Sequence, residues 1–173
     1  MKQLVISAIG TDRPGLVDRL TEALAGYHAN IADSRMVNLR GRFAIIMLAE
    51  VTDDRVDELR QRLPAVAESI GLTAFVADAD SGDATIPGVP YRIRTYAMDQ
   101  VGLVHQITHA LSELNVNIED LTTRLEHGPH TGTPLFSMEM VVTVPTDVPL
   151  KQMRQNLETL CAELNCDLDI DRA

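Results

Sequence analysis

The amino-acid sequence predicts an α+β chain of two ferredoxin-like units in tandem, each with the order β-α-β-β-α-β, an antiparallel sheet and both helices on one face. Three observations carry that prediction. Sliding the 173-residue chain on itself by 87 residues aligns Asp12–Asp33 with Asp99–Asp120 without a gap, and ten of the 22 aligned pairs are identical, which marks a duplication. Apolar residues alternate at period two in some segments and recur at three and four in others, in the same order in both halves. Between the halves, the run from Asp78 to Pro90 is small, acidic and rich in Gly and Pro, without apolar periodicity. The organisation expected is a first domain over 1–78, a linker over 79–90 and a second domain over 91–173.

In the first half Gln3–Ile9 alternates as a strand. Pro14–Ala25 places Leu16, Val17, Leu20, Ala23 and Leu24 on one helical stripe. Asn30–Leu39 and Arg42–Val51 read as strands around a tight Arg40-Gly41 turn. Asp54–Ile70 is a helix with Val56, Leu59, Leu63, Val66 and Ile70 inward, and Leu72–Ala77 closes the unit as a strand. The second half repeats the order with a strand over Tyr91–Met98, a helix over Gly102–Leu114 and a strand over Asn117–Glu126. A longer loop follows, then a strand over Leu135–Val144, a helix over Pro149–Leu164 and a strand over Asp167–Ile170. The strand at Leu135–Val144 alternates apolar and polar, as a sheet with one wet face requires. Its counterpart, from Phe43 to Ala49, is apolar on both faces, so its outer face is expected to be covered by the other domain, a second subunit or a partner protein, the alternative being an exposed apolar patch with no role.

The duplication is tightest where the first strand of each unit turns into its first helix: Thr11-Asp12-Arg13-Pro14-Gly15-Leu16-Val17 and Met98-Asp99-Gln100-Val101-Gly102-Leu103-Val104. Asp12 or Asp99 can cap the helix, Pro14 suits a first turn, and Gly15 or Gly102 removes the side chain where a ligand would reach the backbone. Free N–H groups and the positive end of the helix dipole suit a carboxylate there, although any strand–helix junction favours a cap and a glycine. Asn30-Ile31 and Asn117-Ile118 open the second strand of each unit, fifteen residues after the loop glycine. An asparagine offers donors and an acceptor for the amino and carboxylate groups of a zwitterion; the alternative role is to end the preceding helix.

A duplicated unit carrying D-x-x-G-L-V and N-I resembles tandem ACT domains over nearly the whole chain. In its length, its first loop and Gly132-Thr133-Pro134-Leu135-Phe136, the chain resembles the glycine cleavage system transcriptional repressor family. That resemblance implies a non-enzymatic amino-acid sensor, with glycine as the expected ligand, that acts through a LysR-type activator and does not touch DNA. Carried over by position, Asp12 to Val17 with Asn30 and Ile31, and Asp99 to Val104 with Asn117 and Ile118, would line ligand pockets at ACT–ACT contacts. Gln100 and Val101 depart from Arg13 and Pro14, so the two sites are expected to differ. A detached allosteric subunit of an amino-acid or one-carbon enzyme is the alternative reading.

Composition points the same way. The formal charge of −10, a pI near 4.8 and the absence of Trp oppose nucleic-acid binding, which needs cationic grooves and stacking platforms. The Met1–Gly10 stretch is too short for a signal peptide and no run of 18 apolar residues occurs, so a cytoplasmic chain without membrane contact is expected. No nucleophile elbow, phosphate-binding loop or Ser/His/Asp order is present. His105 and His109 have the spacing of a helical metal pair but sit opposite the apolar stripe, with no completing ligands, so neither metal nor cofactor is expected. Cys161 and Cys166, placed five apart on one helix, would point to different sides as idle thiols. The loop from His127 to Pro134 serves as a lid, a partner contact or plain surface. Arg35, Arg40 and Arg42 around the first hairpin form either a docking patch for an acidic partner or a charge-protected edge. The doubly apolar strand suggests a homo-oligomer.

Overall fold

A computed structural model describes residues 1–79, 87–127 and 132–173. The chain divides into two compact units, Met1–Asp83 and Ala84–Ala173. The first contains β1 (Lys2–Thr11), α1 (Leu16–Gly26), β2 (Asn30–Leu39), β3 (Arg42–Val51), α2 (Val56–Ser69) and β4 (Leu72–Asp78). The second contains β5 (Gly88–Met98), α3 (Leu103–Ser112), β6 (Asn117–His127), β7 (Pro134–Pro145), α4 (Leu150–Glu163) and β8 (Cys166–Arg172). Each unit has a four-stranded antiparallel sheet, in the order β2-β3-β1-β4 or β6-β7-β5-β8. This is the ferredoxin-like arrangement that the alternating patterns require.

The cores follow from those patterns. In the first unit Leu4, Ile6 and Ala8 of β1 and Phe43, Ile45, Met47 and Ala49 of β3 point to the helix side, against Leu16, Leu20 and Leu24 of α1 and Leu59 and Leu63 of α2. The second unit repeats this with Ile93, Met138, Met140 and Val142 against Ile107, Leu111, Met153 and Leu157. Leu, Ile, Val, Ala and Met build both cores, with Phe43 the one fully buried aromatic side chain among the described residues.

Positive-φ positions recur in register. Gly15 and Gly102 precede the first helices, His28 and Asn115 follow them, and Gly71 and Asn165 follow the second helices. The Arg40-Gly41 turn has φ values of 51° and 80°, the signature of a type I′ hairpin, whose twist matches that of its strands. Both edge strands β2 and β6 carry a register shift at matched places, between Ile31 and Asp33 and between Ile118 and Asp120. Period-two reading does not reveal such a bulge, because one extra residue resets the alternation.

Several boundaries differ from the sequence reading. Asp12 and Asp99 do not cap the first helices, and Pro14 does not lie in a first turn: α1 starts at Leu16 and α3 at Leu103, with Gly15 and Gly102 at the N-cap and no side-chain cap on either helix. The left-handed glycine turns the chain into the helix three residues later than an Asp12 or Asp99 cap would. Strand β5 begins at Gly88, because Val89 and Pro90 pair with Val144 and Thr143; residues 80–86 of the expected linker lie outside the described residues. The His127–Pro134 loop is described only at its ends, where His127 closes β6 and Pro134 opens β7. The cysteines are not on one helix. Cys161 lies in α4 and Cys166 opens β8, and the two free thiols interact. Burial and the Cys166 neighbour push the Cys161 thiol up to about 12. Among the described residues no helix is long and apolar enough to cross a membrane.

Candidate functional site

The two β-to-α loops are built alike and anchored alike. In the first unit the Asp12 N–H donates to the Gly41 carbonyl at 2.8 Å, and the Asn38 amide donates to the Asp12 carboxylate at 2.5 Å, tying the loop to the β2–β3 hairpin. In the second the Asp99 N–H donates to the Pro134 carbonyl at 3.1 Å. Arg13 and Gln100 then do the same work with different chemistry. The Arg13 guanidinium donates to the Ile70 carbonyl at 2.5 Å, and the Gln100 amide donates to the Leu164 carbonyl at 2.7 Å. Ile70 and Leu164 are the C-caps of α2 and α4, so each side chain satisfies a terminal helix carbonyl and pins the loop to the end of the second helix. The departure of Gln100 from Arg13 is therefore a change of donor with the anchor kept.

The rest of each loop divides by role. Leu16 and Leu103 are buried in the cores and fix the first helical turn. Pro14, Val17 and Val101 are exposed, and Val104 packs partly against the second core. Gly15 and Gly102, with φ of 87° and 94°, adopt a conformation that costs L-residues about 1–2 kcal/mol. Their carbonyls accept the first helical hydrogen bonds, from the Arg19 and Gln106 N–H groups at 3.0 and 2.9 Å. With no side-chain cap, the first-turn N–H groups face outward as donors at the positive end of each helix. The two ends are not electrostatically equal. Asp18 places a carboxylate in the first turn of α1, whereas the first turn of α3 holds no acidic residue.

Asn30 and Asn117 lie elsewhere. Thr11 pairs with Arg42 at one end of the first sheet, while Asn30 pairs with Glu50, the partner of Gln3, at the other. Eight strand residues separate those rungs, roughly 27 Å at 3.4 Å per residue, so no small ligand spans a loop and the asparagine of the same unit. The second unit repeats the separation, with Met98 opposite Leu135 and Asn117 opposite Thr143. The Asn117 amide donates to the Glu119 carboxylate at 2.6 Å, across the bulge. Ile31 and Ile118 pack partly against the cores. The sequence pattern thus found the loops, but neither the asparagine–loop separation nor the helix C-terminal anchors, since both depend on which strand ends meet.

The sheet faces opposite the helices also differ. On the second unit a concavity of about 500 Å³ is lined by Arg92, Tyr96, Asp120, Arg124 and Glu139 among others. Beside it the Arg94 guanidinium is partly desolvated, which opposes its charge, but 3.1 Å hydrogen bonds to Asp169 and Asp171, with Glu139 nearby, raise its pKa above the ordinary value. The His105 and His109 rings stack 5.7 Å apart, His109 lies 3.8 Å from Glu113, and no group of three His, Cys, Asp or Glu among the described residues is placed to hold a metal.

Comparison with known proteins gives this geometry a family. Residues 2–77 match one ACT domain model and residues 91–162 match another. Over 168 residues, 97% of this chain and 88% of the relative, the sequence is 23% identical to the glycine cleavage system transcriptional repressor of Escherichia coli (strain K12). A UPF0237 protein of Methanosarcina mazei is 35% identical over 81 residues, 46% of this chain and 88% of that protein. Among solved structures, an unknown protein from Galdieria sulphuraria superposes with a TM-score of 0.87 at 26% identity, covering 99% of this chain and 98% of that one.

Proposed function

The chain belongs to the ACT domain family, with one domain in each half, and from that premise we propose that it is a non-enzymatic amino-acid sensor that regulates transcription through another protein. The observation that carries the reading is the uncapped helix N-terminus behind a left-handed glycine, present twice in matched form. Such an end presents N–H donors and a positive dipole to a carboxylate, and the missing side-chain cap leaves those donors for a ligand. Similarity to the repressor spans 97% of the chain and supports negative regulation of the glycine cleavage system as the output. Glycine as the ligand and a LysR-type activator as the partner are the further parts of this reading, which the family resemblance implies. A ligand does regulatory work only through different affinities for two arrangements of the protein, so amino-acid affinity must differ between the free and partner-bound states.

The test is a calorimetric and thermal-shift panel of glycine, serine and the other amino acids on the whole chain. Saturable binding of a small amino acid supports the reading, and silence across the panel removes its signal. Copurification separates the two regulatory outputs: a LysR-type regulator supports transcriptional control, and a metabolic enzyme in its place redirects the sensor to enzyme control.

A further inference from the structure

The outer sheet faces of the two units are built on the same rungs and have diverged in opposite directions. On the first unit the rungs opposite the helices carry Ile9, Val37, Leu39, Ile46 and Phe75, with exposures of 52%, 49%, 69%, 50% and 65%. The pairing registers place Tyr96, Arg124, Glu126, Glu139 and Asp169 at the matching positions of the second unit. Four of the five apolar positions therefore hold a charge in the copy, and the fold accepts it there. The fold does not demand the apolar face, so another contact must account for it.

We infer that the outer sheet face of the first unit is a self-association surface, packing face to face with the same face of a second copy of this chain about a two-fold axis. Area is the first argument. Side chains of this size present about 150–250 Å² when free, so these five leave on the order of 500 Å² open per copy, and a symmetric pair buries about 1,000 Å² from them alone. That reaches the threshold of a specific interface before the rim is included. Shape is the second. Ser7 lies between Ile46 and Phe75 on one rung, and Ala44 between Val37 and Ile9 on the next; these small residues sit in a concavity of about 390 Å³ walled by the larger ones. A two-fold operation brings the protruding Phe75 and Ile46 of one copy toward the low ground of the other, the aligned packing of sandwich sheets. Charge is the third. The middle of the face, Ser7, Ile9, Ala44, Ile46 and Phe75, is uncharged; its β2 side carries Asp33 and Arg35, 3.8 Å apart, with Arg35 at the edge of the concavity and Arg42 beside Leu39 on the end rung, and these supply both signs for reciprocal pairing across the axis. The face also belongs to the less charged half, −3 for residues 1–80 against −7 for 81–173, where self-repulsion is weaker.

The duplicate supplies the test variants. Ile46→Glu with Phe75→Asp installs the charges that Glu139 and Asp169 carry at the same rungs, and Ser7→Arg installs that of Arg94. Sedimentation equilibrium of the whole chain without amino acid, over a concentration series, is expected to show a dimer for the parent and at least a hundredfold weaker association for both variants, with unchanged circular dichroism. Ser7→Arg keeps the experiment decisive if the double variant fails to fold. A parent that stays monomeric at every concentration overturns the inference, as does a dimer that survives in the folded variants. Because no ligand is present, neither outcome bears on amino-acid sensing.

Discussion

Two residues show how a single position separates structure from function here. Gly102 has φ of 94°, and a Cβ added there meets only the Gln106 amide at 3.4 Å; at Gly15 nothing lies within 4 Å. The obstacle to substitution is therefore the backbone conformation and not crowding. Gly102→Val should cost about 1–3 kcal/mol through strain at the N-cap, leave the circular dichroism intact and remove the response to amino acid by rotating the first-turn N–H groups. A thermal-shift titration of Gly15→Val and Gly102→Val checks this, and an unchanged response in both variants would place the ligand elsewhere. Thr95 is the opposite case. It is fully buried on the helix side of β5, its hydroxyl has no hydrogen-bond partner, and Ala8 holds the matching rung of the first unit. An unpaired buried hydroxyl is a net cost, so Thr95→Val should stabilise the second unit by about 1 kcal/mol and raise its melting temperature by roughly 4–8 °C in calorimetry.

Among the elements, each second helix positions the loop of its unit through one side chain. Arg13→Ala frees the Ile70 carbonyl and Gln100→Ala the Leu164 carbonyl, and each should cost about 1 kcal/mol and loosen its loop, read as faster amide exchange at residues 12–17 or 99–104. Arg13→Gln should keep most of the anchor, since the second unit already uses that donor; a loop as mobile in Arg13→Gln as in Arg13→Ala would refute a hydrogen-bonding role. The elements were also the level most legible in the sequence. β2 and β3 have the expected limits because Arg40-Gly41 fixes the turn and alternation fixes the strands. Helix starts moved by one to two residues because an αL glycine, and not an aspartate, holds the N-cap. The cysteines do not share a helix because Asn165, at φ 50°, ends α4 before Cys166, which opens β8. With its thiol raised to about 12, native Cys161 stays protonated where the unfolded chain ionises near 9, so stability is present below about pH 9 and declines between 9 and 12. Urea unfolding at pH 8 and pH 10 should show that loss, and Cys161→Ala should flatten it.

Over the whole molecule, charge decides how a regulator of this kind can reach a promoter. The chain carries −10 on 173 residues and no Trp, and its acidic residues outnumber its basic ones in both halves. Affinity for a duplex comes mainly from lysines and arginines that displace counterions, and each phosphate contact adds to the salt dependence. The basic residues around the first hairpin, Arg35, Arg40 and Arg42, are already partly engaged: Arg35 lies 3.8 Å from Asp33 and Arg42 donates to the Thr11 hydroxyl at 3.1 Å. Three arginines on an acidic surface cannot offset long-range repulsion at physiological salt, where the screening length is about 8 Å. The chain alone should therefore leave promoter DNA unshifted in an electrophoretic assay at 0.15 M salt, with or without glycine. Adding the copurified partner should produce a complex whose mobility or affinity changes with glycine. Saturable binding by the chain alone, weakening with salt as several phosphate contacts require, would contradict this and move the regulatory contact from a protein to DNA.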